Sequence, residues 1–199
     1  MTGRLIAFEG GEACGKSTQA ALLAEHLGAV LTHEPGGTAI GARIRELVLD
    51  PTLPRVAPWT EALLMAADRA QHVAEIVAPA LERGEDVVTD RFTGSSLAYQ
   101  GFGRGLDVDE LRQLSKVATR GLDPTMVVLL DAPPEVTGPR RKRRPDRFES
   151  EDAAFHERVA DGYRALAAED PERWLVVDGR GGVEEVADRV WTAVKERLG

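Results

Sequence analysis

Gly10-Gly11-Glu12-Ala13-Cys14-Gly15-Lys16-Ser17 satisfies the pattern G-x-x-x-x-G-K-[ST] without a gap. A loop of this kind wraps phosphates with backbone N–H groups, so it needs glycines to turn tightly, a strand to launch it and a helix to follow it. Both neighbours are present. Leu5-Ile6-Ala7-Phe8 is a short apolar run ending at the loop. Beyond it Ala20, Leu23, Ala24 and Leu27 recur at helical spacing, with Gly28 where a C-cap belongs. The motif thereby nominates Gly10, Gly11, Glu12, Ala13, Cys14, Gly15, Lys16 and Ser17 as ATP-binding residues. Lys16 is placed for the outer phosphates and the Ser17 hydroxyl for Mg²⁺, while the helix N-terminus adds its positive dipole end. The loop settles the class of ligand and leaves kinases, ATPases and GTPases open.

Further along, short continuous apolar runs alternate with helical patterns. Ala29–Thr32, Asp86–Thr89, Met126–Leu130 and Leu175–Val177 read as strands. Gly41–Leu49, Trp59 to about Arg83, Leu111–Gly121 and Val183–Leu198 read as helices, as does the segment carrying Phe155, Val159, Tyr163 and Leu166 on one face. Pro79 is expected to kink the long helix or mark a boundary in it, and Asp107 or Asp109 to cap Leu111–Gly121. This alternation predicts an α/β fold with a parallel sheet covered on both faces. No repeat or linker divides the 199 residues, so one domain is expected over 1–199, with a lid at about 138–150.

A net charge of −8 argues against a general nucleic-acid partner. One cysteine, Cys14, forms no internal disulfide and fits a reducing compartment. No signal-like h-region or apolar stretch of membrane-spanning length stands out, and a cytoplasmic chain with no membrane partner is expected.

The arginines narrow the reaction. The chain contains no asparagine, so the Asn-Lys-x-Asp segment by which GTPases commonly read guanine is absent. An acceptor that is itself a phosphate needs no general base, because its oxygen is already an anion near neutral pH. It needs cations to offset phosphate repulsion, and exclusion of water. Arg45, Arg69, Asp90-Arg91 and the basic run Arg140–Arg147 follow elements that line the carboxyl edge of such a sheet. Arg45 and Arg69 also fit solvated helix positions. Asp90-Arg91, a charged pair ending a buried strand, demands partners. The basic run suits a phosphate-closing lid better than a nucleic-acid patch, being short and isolated on an acidic chain.

The chain resembles the bacterial thymidylate kinases nearly end to end. The matching segments are Phe8–Glu12 leading into the loop, Glu34-Pro35-Gly36-Gly37-Thr38 with Ile44-Arg45, Ala67–His72, Asp90-Arg91-Phe92 through Ser95–Gly101, and Pro145–Glu149. Asp90–Gly101 is the most specific block. The resemblance implies a P-loop nucleoside-monophosphate-kinase fold with a five-stranded parallel sheet, a short basic lid, a homodimer, and ATP- and Mg²⁺-dependent phosphorylation of dTMP to dTDP. Carried over by position, Lys16, Asp90, Arg91 and Arg147 would be catalytic. Arg45 and Arg91 would hold the acceptor phosphate, and Arg69, with Ser95 and Ser96 near it, the thymine edge. Tyr99 would close over the sugar, Glu12 would lie near the 3′-hydroxyl and the metal, and Arg143 and Arg147 would reach ATP. A subgroup carries an arginine inside the loop; this chain has Ala13 there, which shifts that charge to the lid.

Three positions depart from the family pattern. Met65 stands where an aromatic ring usually stacks on thymine, and is expected to cover the base with less area. His33 replaces a frequent arginine. Cys14 replaces a small residue, and is read as a buried side chain in preference to a redox-sensitive thiol.

Overall fold

The structure, a computed structural model, describes residues 2–53, 56–138 and 145–198. Five strands, β1 (Leu5–Glu9), β2 (Val30–His33), β3 (Val87–Asp90), β4 (Met126–Asp131) and β5 (Trp174–Asp178), form one parallel sheet in the order β2-β3-β1-β4-β5. The register pairs Phe8 with Asp90, His33 with Asp90, and Asp131 with Asp178. The strands therefore end together, and the loops leaving them share one edge.

Every β1 side chain is buried because both faces of the sheet are covered. Ile6 and Phe8, with Met126, Val128 and Leu130, pack against α1 (Lys16–Leu27) and the C-terminal helix over Val183–Leu198. Ala20, Leu23 and Ala24 meet them from α1, and Val186, Val190 and Val194 from the other helix. Leu5, Ala7 and Val127 face the opposite layer. That layer contains α2 (Ala39–Leu49), α3 (Pro58–His72), α4 (Ala78–Glu82), α5 (Thr93–Ser96), α6 (Val108–Thr119) and, after the short α7 (Pro134–Thr137), α8 (Ala153–Glu169). The final helix is α9.

Several ends have visible causes. Gly28 closes α1 in the left-handed region, its N–H reaching the Ala24 and Glu25 carbonyls. Thr38 caps α2, Asp152 caps α8, and Asp107, not Asp109, caps α6. The helix expected over residues 59–83 continues through Pro79 by widening to a π turn at Val73–Val77, where the Ala78 N–H reaches back to the Val73 carbonyl. A second π segment, Leu97–Gly103, prolongs α5. The helical nature of residues 93–103 was not among the sequence expectations.

Candidate active site

The loop after β1 is shaped by positive φ angles at Gly10 (140°), Ala13 (58°) and Gly15 (105°). Gly10 cannot be replaced cheaply, since a Cβ there would lie 2.6 Å from the Leu130 carbonyl oxygen. Lys16 folds back over the loop, its Nζ donating to the Gly11 carbonyl at 2.6 Å. Cys14 is buried in the core cluster beneath, among Phe8, Leu130 and Val186, so its thiol is shielded from solvent. The cleft above runs along Glu12–Gln19 to Gly181–Val183 beyond β5.

Asp90 and Arg91 follow from β3. The Ser17 hydroxyl donates to Asp90 Oδ2 at 2.5 Å, and Asp90 Oδ1 is buried with no hydrogen-bond partner among the described residues. Arg91 is a non-glycine residue at φ 73°, a strained conformation of the kind that concentrates at functional sites. Glu9 holds the segment there: its Oε1 accepts from the Phe92 and Ser95 N–H groups, and its Oε2 from the Ser95 and Tyr163 hydroxyls. Burial pushes the Glu9 pKa up, against these hydrogen bonds and the Arg91 charge.

The Arg91 guanidinium donates to Glu12 Oε1 at 2.5 Å, to Ser95 Oγ at 3.1 Å, and to the Tyr163 and Tyr99 hydroxyls at 3.2 and 3.3 Å. Tyr99 also donates to Glu12 at 2.7 Å. Burial opposes the Glu12 charge, but the Arg91 and Lys16 cations outweigh it and hold its pKa at about 2. Glu12 is thus an anion seated on the cation that the sequence assigns to an acceptor phosphate.

Glu12, Glu34, Arg45 and Arg91 line both the loop cleft and a second pocket. Met65, Asp68, Arg69, Ser96, Tyr99, Gln100 and Phe148 line the second pocket farther in. Arg45 is half-buried and donates to the Pro35 carbonyl at 2.8 Å. Arg69 is buried, donating to Glu34, Ser96 and the Phe92 carbonyl. Neither arginine is a solvated helix residue. His33 borders the loop cleft, and burial together with the Arg45 charge lowers its pKa, so it adds no cation at neutral pH.

The structure gathers Gly10–Ser17, Asp90, Arg91, Arg45, Met65, Arg69, Ser95, Ser96 and Tyr99 around these two connected spaces. It does not place Arg147 with them. Arg147 donates to the Val48 carbonyl and to buried Glu61, each at 2.7 Å, and lines neither space. Its charge is committed to a carboxylate that also receives Arg104 and Gln100. The expectation for Arg143, with the rest of Arg140–Arg144, falls outside the described residues. Among residues to which the sequence reading gave no role in the site, Tyr163 brings its hydroxyl to Arg91 from α8, and His72 and Glu34 back Arg69. Tyr163 fits the apolar stripe of its helix, so only its hydroxyl was a signal.

Comparison with known proteins points to one family. Residues 8–190 match the family model described as thymidylate kinase. A thymidylate kinase from a Synechococcus strain is 51% identical over 200 residues, covering 97% of this chain and 95% of the relative. One from Deinococcus radiodurans is 48% identical, with 98% of each chain covered. The crystal structure of thymidylate kinase from Ehrlichia chaffeensis superposes with a TM-score of 0.82 at 28% identity, covering 98% of this chain and all of that one.

Proposed function

The chain belongs to the thymidylate kinase family, and from that premise we propose how its residues carry ATP-dependent phosphorylation of dTMP to dTDP. The observation that carries the assignment is the shared wall: the P-loop cleft and the inner pocket meet at Arg45 and Arg91. Two phosphates held from the two sides would face each other across these cations.

The donor phosphates take the loop N–H groups and the α1 N-terminus, and Lys16 turns from the Gly11 carbonyl to the outer phosphates. The acceptor oxygen is already anionic, so the site's task is charge neutralisation and alignment, not proton removal. An acceptor phosphate competes with Glu12 for Arg91. Glu12, displaced but still ionised, is left free to meet the sugar 3′-hydroxyl. Arg45 closes the phosphate from the α2 side. In the inner pocket Arg69 and Ser96 meet the base edge, Met65 covers its face, and Tyr99 occupies the space beside the sugar where a ribose 2′-hydroxyl would sit.

Mg²⁺ fits the donor set. Ser17 and Asp90 would hold it, since Asp90 has a buried oxygen without a partner among the described residues, and Mg²⁺ is usually bound by few protein oxygens. When bound, the ion offsets negative charge on the outer phosphates. Ala13 leaves the loop without its own arginine, which supports giving the extra cation to the basic run containing Arg143, in a lid over about 138–150 on a single catalytic domain. No helix among the described residues is long and apolar enough to cross a membrane. A reducing cytoplasm suits a chain whose only cysteine is buried. An exposed apolar stripe on α3 supports a homodimer.

A coupled assay offering dTMP, dUMP, dCMP, dGMP and thymidine with ATP tests the assignment. Turnover of dTMP is expected, and tight ATP binding without turnover of any monophosphate would make the chain a regulator instead. Lys16→Ala and Arg91→Ala are each expected to cut kcat by about a hundredfold or more, with the fold intact by circular dichroism. Full activity in either contradicts the roles given above.

A further inference from the structure

Behind the inner pocket a buried chain of hydrogen bonds runs from β2 to Arg69. Thr32 Oγ1 lies 2.7 Å from His72 Nε2, and His72 Nδ1 lies 2.8 Å from Glu34 Oε1. Arg69 Nε donates to the other carboxylate oxygen, Oε2, at 2.7 Å. The four side chains are buried, His72 completely. The directions of these bonds follow from chemistry. An ionised carboxylate only accepts, so Nδ1 of His72 carries the hydrogen. In the neutral ring Nε2 is then an acceptor, and the Thr32 hydroxyl donates to it. This tautomer satisfies each polar atom in the chain.

Arg69 is fixed on two more sides, by Ser96 Oγ at 3.0 Å and the Phe92 carbonyl at 2.9 Å. A guanidinium has five N–H donors, so these three bonds leave two, on a residue that lines the inner pocket. The rigid fork delivers those donors in one plane, and that plane is set at Nε by Glu34. Glu34 in turn is held at its second oxygen by His72. Without that grip the carboxylate can swing, and the fork with it.

We propose that His72 is a positioning residue which, through Glu34, fixes the plane of Arg69 and so sets which pyrimidine the pocket accepts. The inference rests on the reading that Arg69 meets the base edge of the acceptor. A fixed N–H favours the O4 acceptor of thymine and opposes cytosine, whose N4 amino group would present a donor to a donor. The acceptor-phosphate end, assigned above to Arg45 and Arg91, is not part of this chain of bonds. A His72 that merely knits β2 to α3 would affect stability and leave pyrimidine choice alone.

Steady-state kinetics with dTMP and dCMP in His72→Leu, His72→Asn and Arg69→Ala test the proposal. In His72→Leu, the KM for dTMP is expected to rise about tenfold, the loss of one well-placed hydrogen bond to a charged group. Its kcat stays within about twofold, and the preference for dTMP over dCMP in kcat/KM shrinks about tenfold. His72→Asn keeps a donor near the Nδ1 position and is expected to recover most of both. An unchanged KM and preference in folded His72→Leu overturns the proposal, and so does a loss confined to kcat. Arg69→Ala separates the two layers of the argument. If it leaves the KM for dTMP unchanged, the base-edge reading itself is wrong. If it raises that KM while His72→Leu does not, only the positioning role is wrong. Should His72→Leu fail to fold, Thr32→Val removes just the far hydroxyl; about a threefold rise in KM is expected, and unchanged constants overturn the relay.

Discussion

Asp68 faces the inner pocket with a charge the fold accommodates poorly. It is 1% exposed; Oδ1 accepts from the Gly36 N–H at 2.9 Å, and Oδ2 has no partner among the described residues. Burial first, and the nearby Glu34 charge second, push its pKa to about 6. A carboxyl that binds its proton more tightly when folded than when unfolded loses stabilising effect as pH rises from about 4 to 6, and nothing further above that. Asp68→Asn cannot ionise and keeps an oxygen for Gly36. Relative to the parent, it is therefore expected to gain about 2–3 kcal/mol between pH 4 and 7, read from urea unfolding at several pH values. A pH-independent difference would show that Asp68 does not titrate there. Glu12 has the opposite sign: with its pKa held at about 2, its stabilisation is complete above the ordinary carboxylate range and is lost as pH falls toward 2. At this scale the loop motif nominated Lys16 and Ser17, and the family resemblance Arg69 and Arg91; the structure places all four at the two connected spaces. Neither motif nor resemblance gave a role to Glu9 or His72, although both fall in family-matching segments, because a buried carboxylate or imidazole acquires its role from partners brought by distant segments.

Between elements, Glu61 is the main tie. Completely buried on α3, it receives Gln100 and Arg104 from the π segment and its continuation, and Arg147 from the stretch before α8. Removing the carboxylate leaves the largely buried Arg147 guanidinium without its ion-pair partner and Arg104 with Glu151 alone, so Glu61→Ala is expected to lower unfolding stability by about 3 kcal/mol. Arg147→Ala is expected to lower the unfolding midpoint while leaving the KM for ATP within about twofold. A raised KM for ATP with unchanged stability would instead restore Arg147 to the donor side. The family resemblance carried Arg147 to the donor side by position, and neither position nor charge density along a chain shows that this side chain turns inward to Glu61. The π turn at Val73–Val77 was hidden for a similar reason. Its residues keep helical spacing, and Pro79 signals a missing N–H without saying whether the helix breaks or widens around it.

For the whole molecule, alternating strands and helices made the parallel sheet legible, since strands covered on both faces must be apolar throughout. The order β2-β3-β1-β4-β5 was not, because crossover choices leave no mark in local pattern. Nor could periodicity tell an outward apolar helix face from a core one, and here that distinction matters. On α3 the residues Glu61, Ala62, Met65, Ala66, Asp68 and Arg69 face the interior or the pocket. Trp59, Leu63, Ala67, Ala70 and, one turn on, Ala74 are exposed at spacings of three and four. Leu63 is 54% exposed and Val117, on the neighbouring α6, 77%. An apolar stripe of this extent on a charged surface is the signature of a contact with another protein, and a second copy would stack α3 on α3. Met65, Asp68 and Arg69 lie on the other side of the same helix and line the inner pocket, so a copy bracing α3 would link assembly to the proposed base recognition. Leu63→Glu places a charge in the middle of the stripe. Light scattering is expected to show a dimer for the parent and a monomer for this variant, with the KM for dTMP raised several-fold and the secondary structure retained. If the variant remains a dimer, the two copies do not meet through this face.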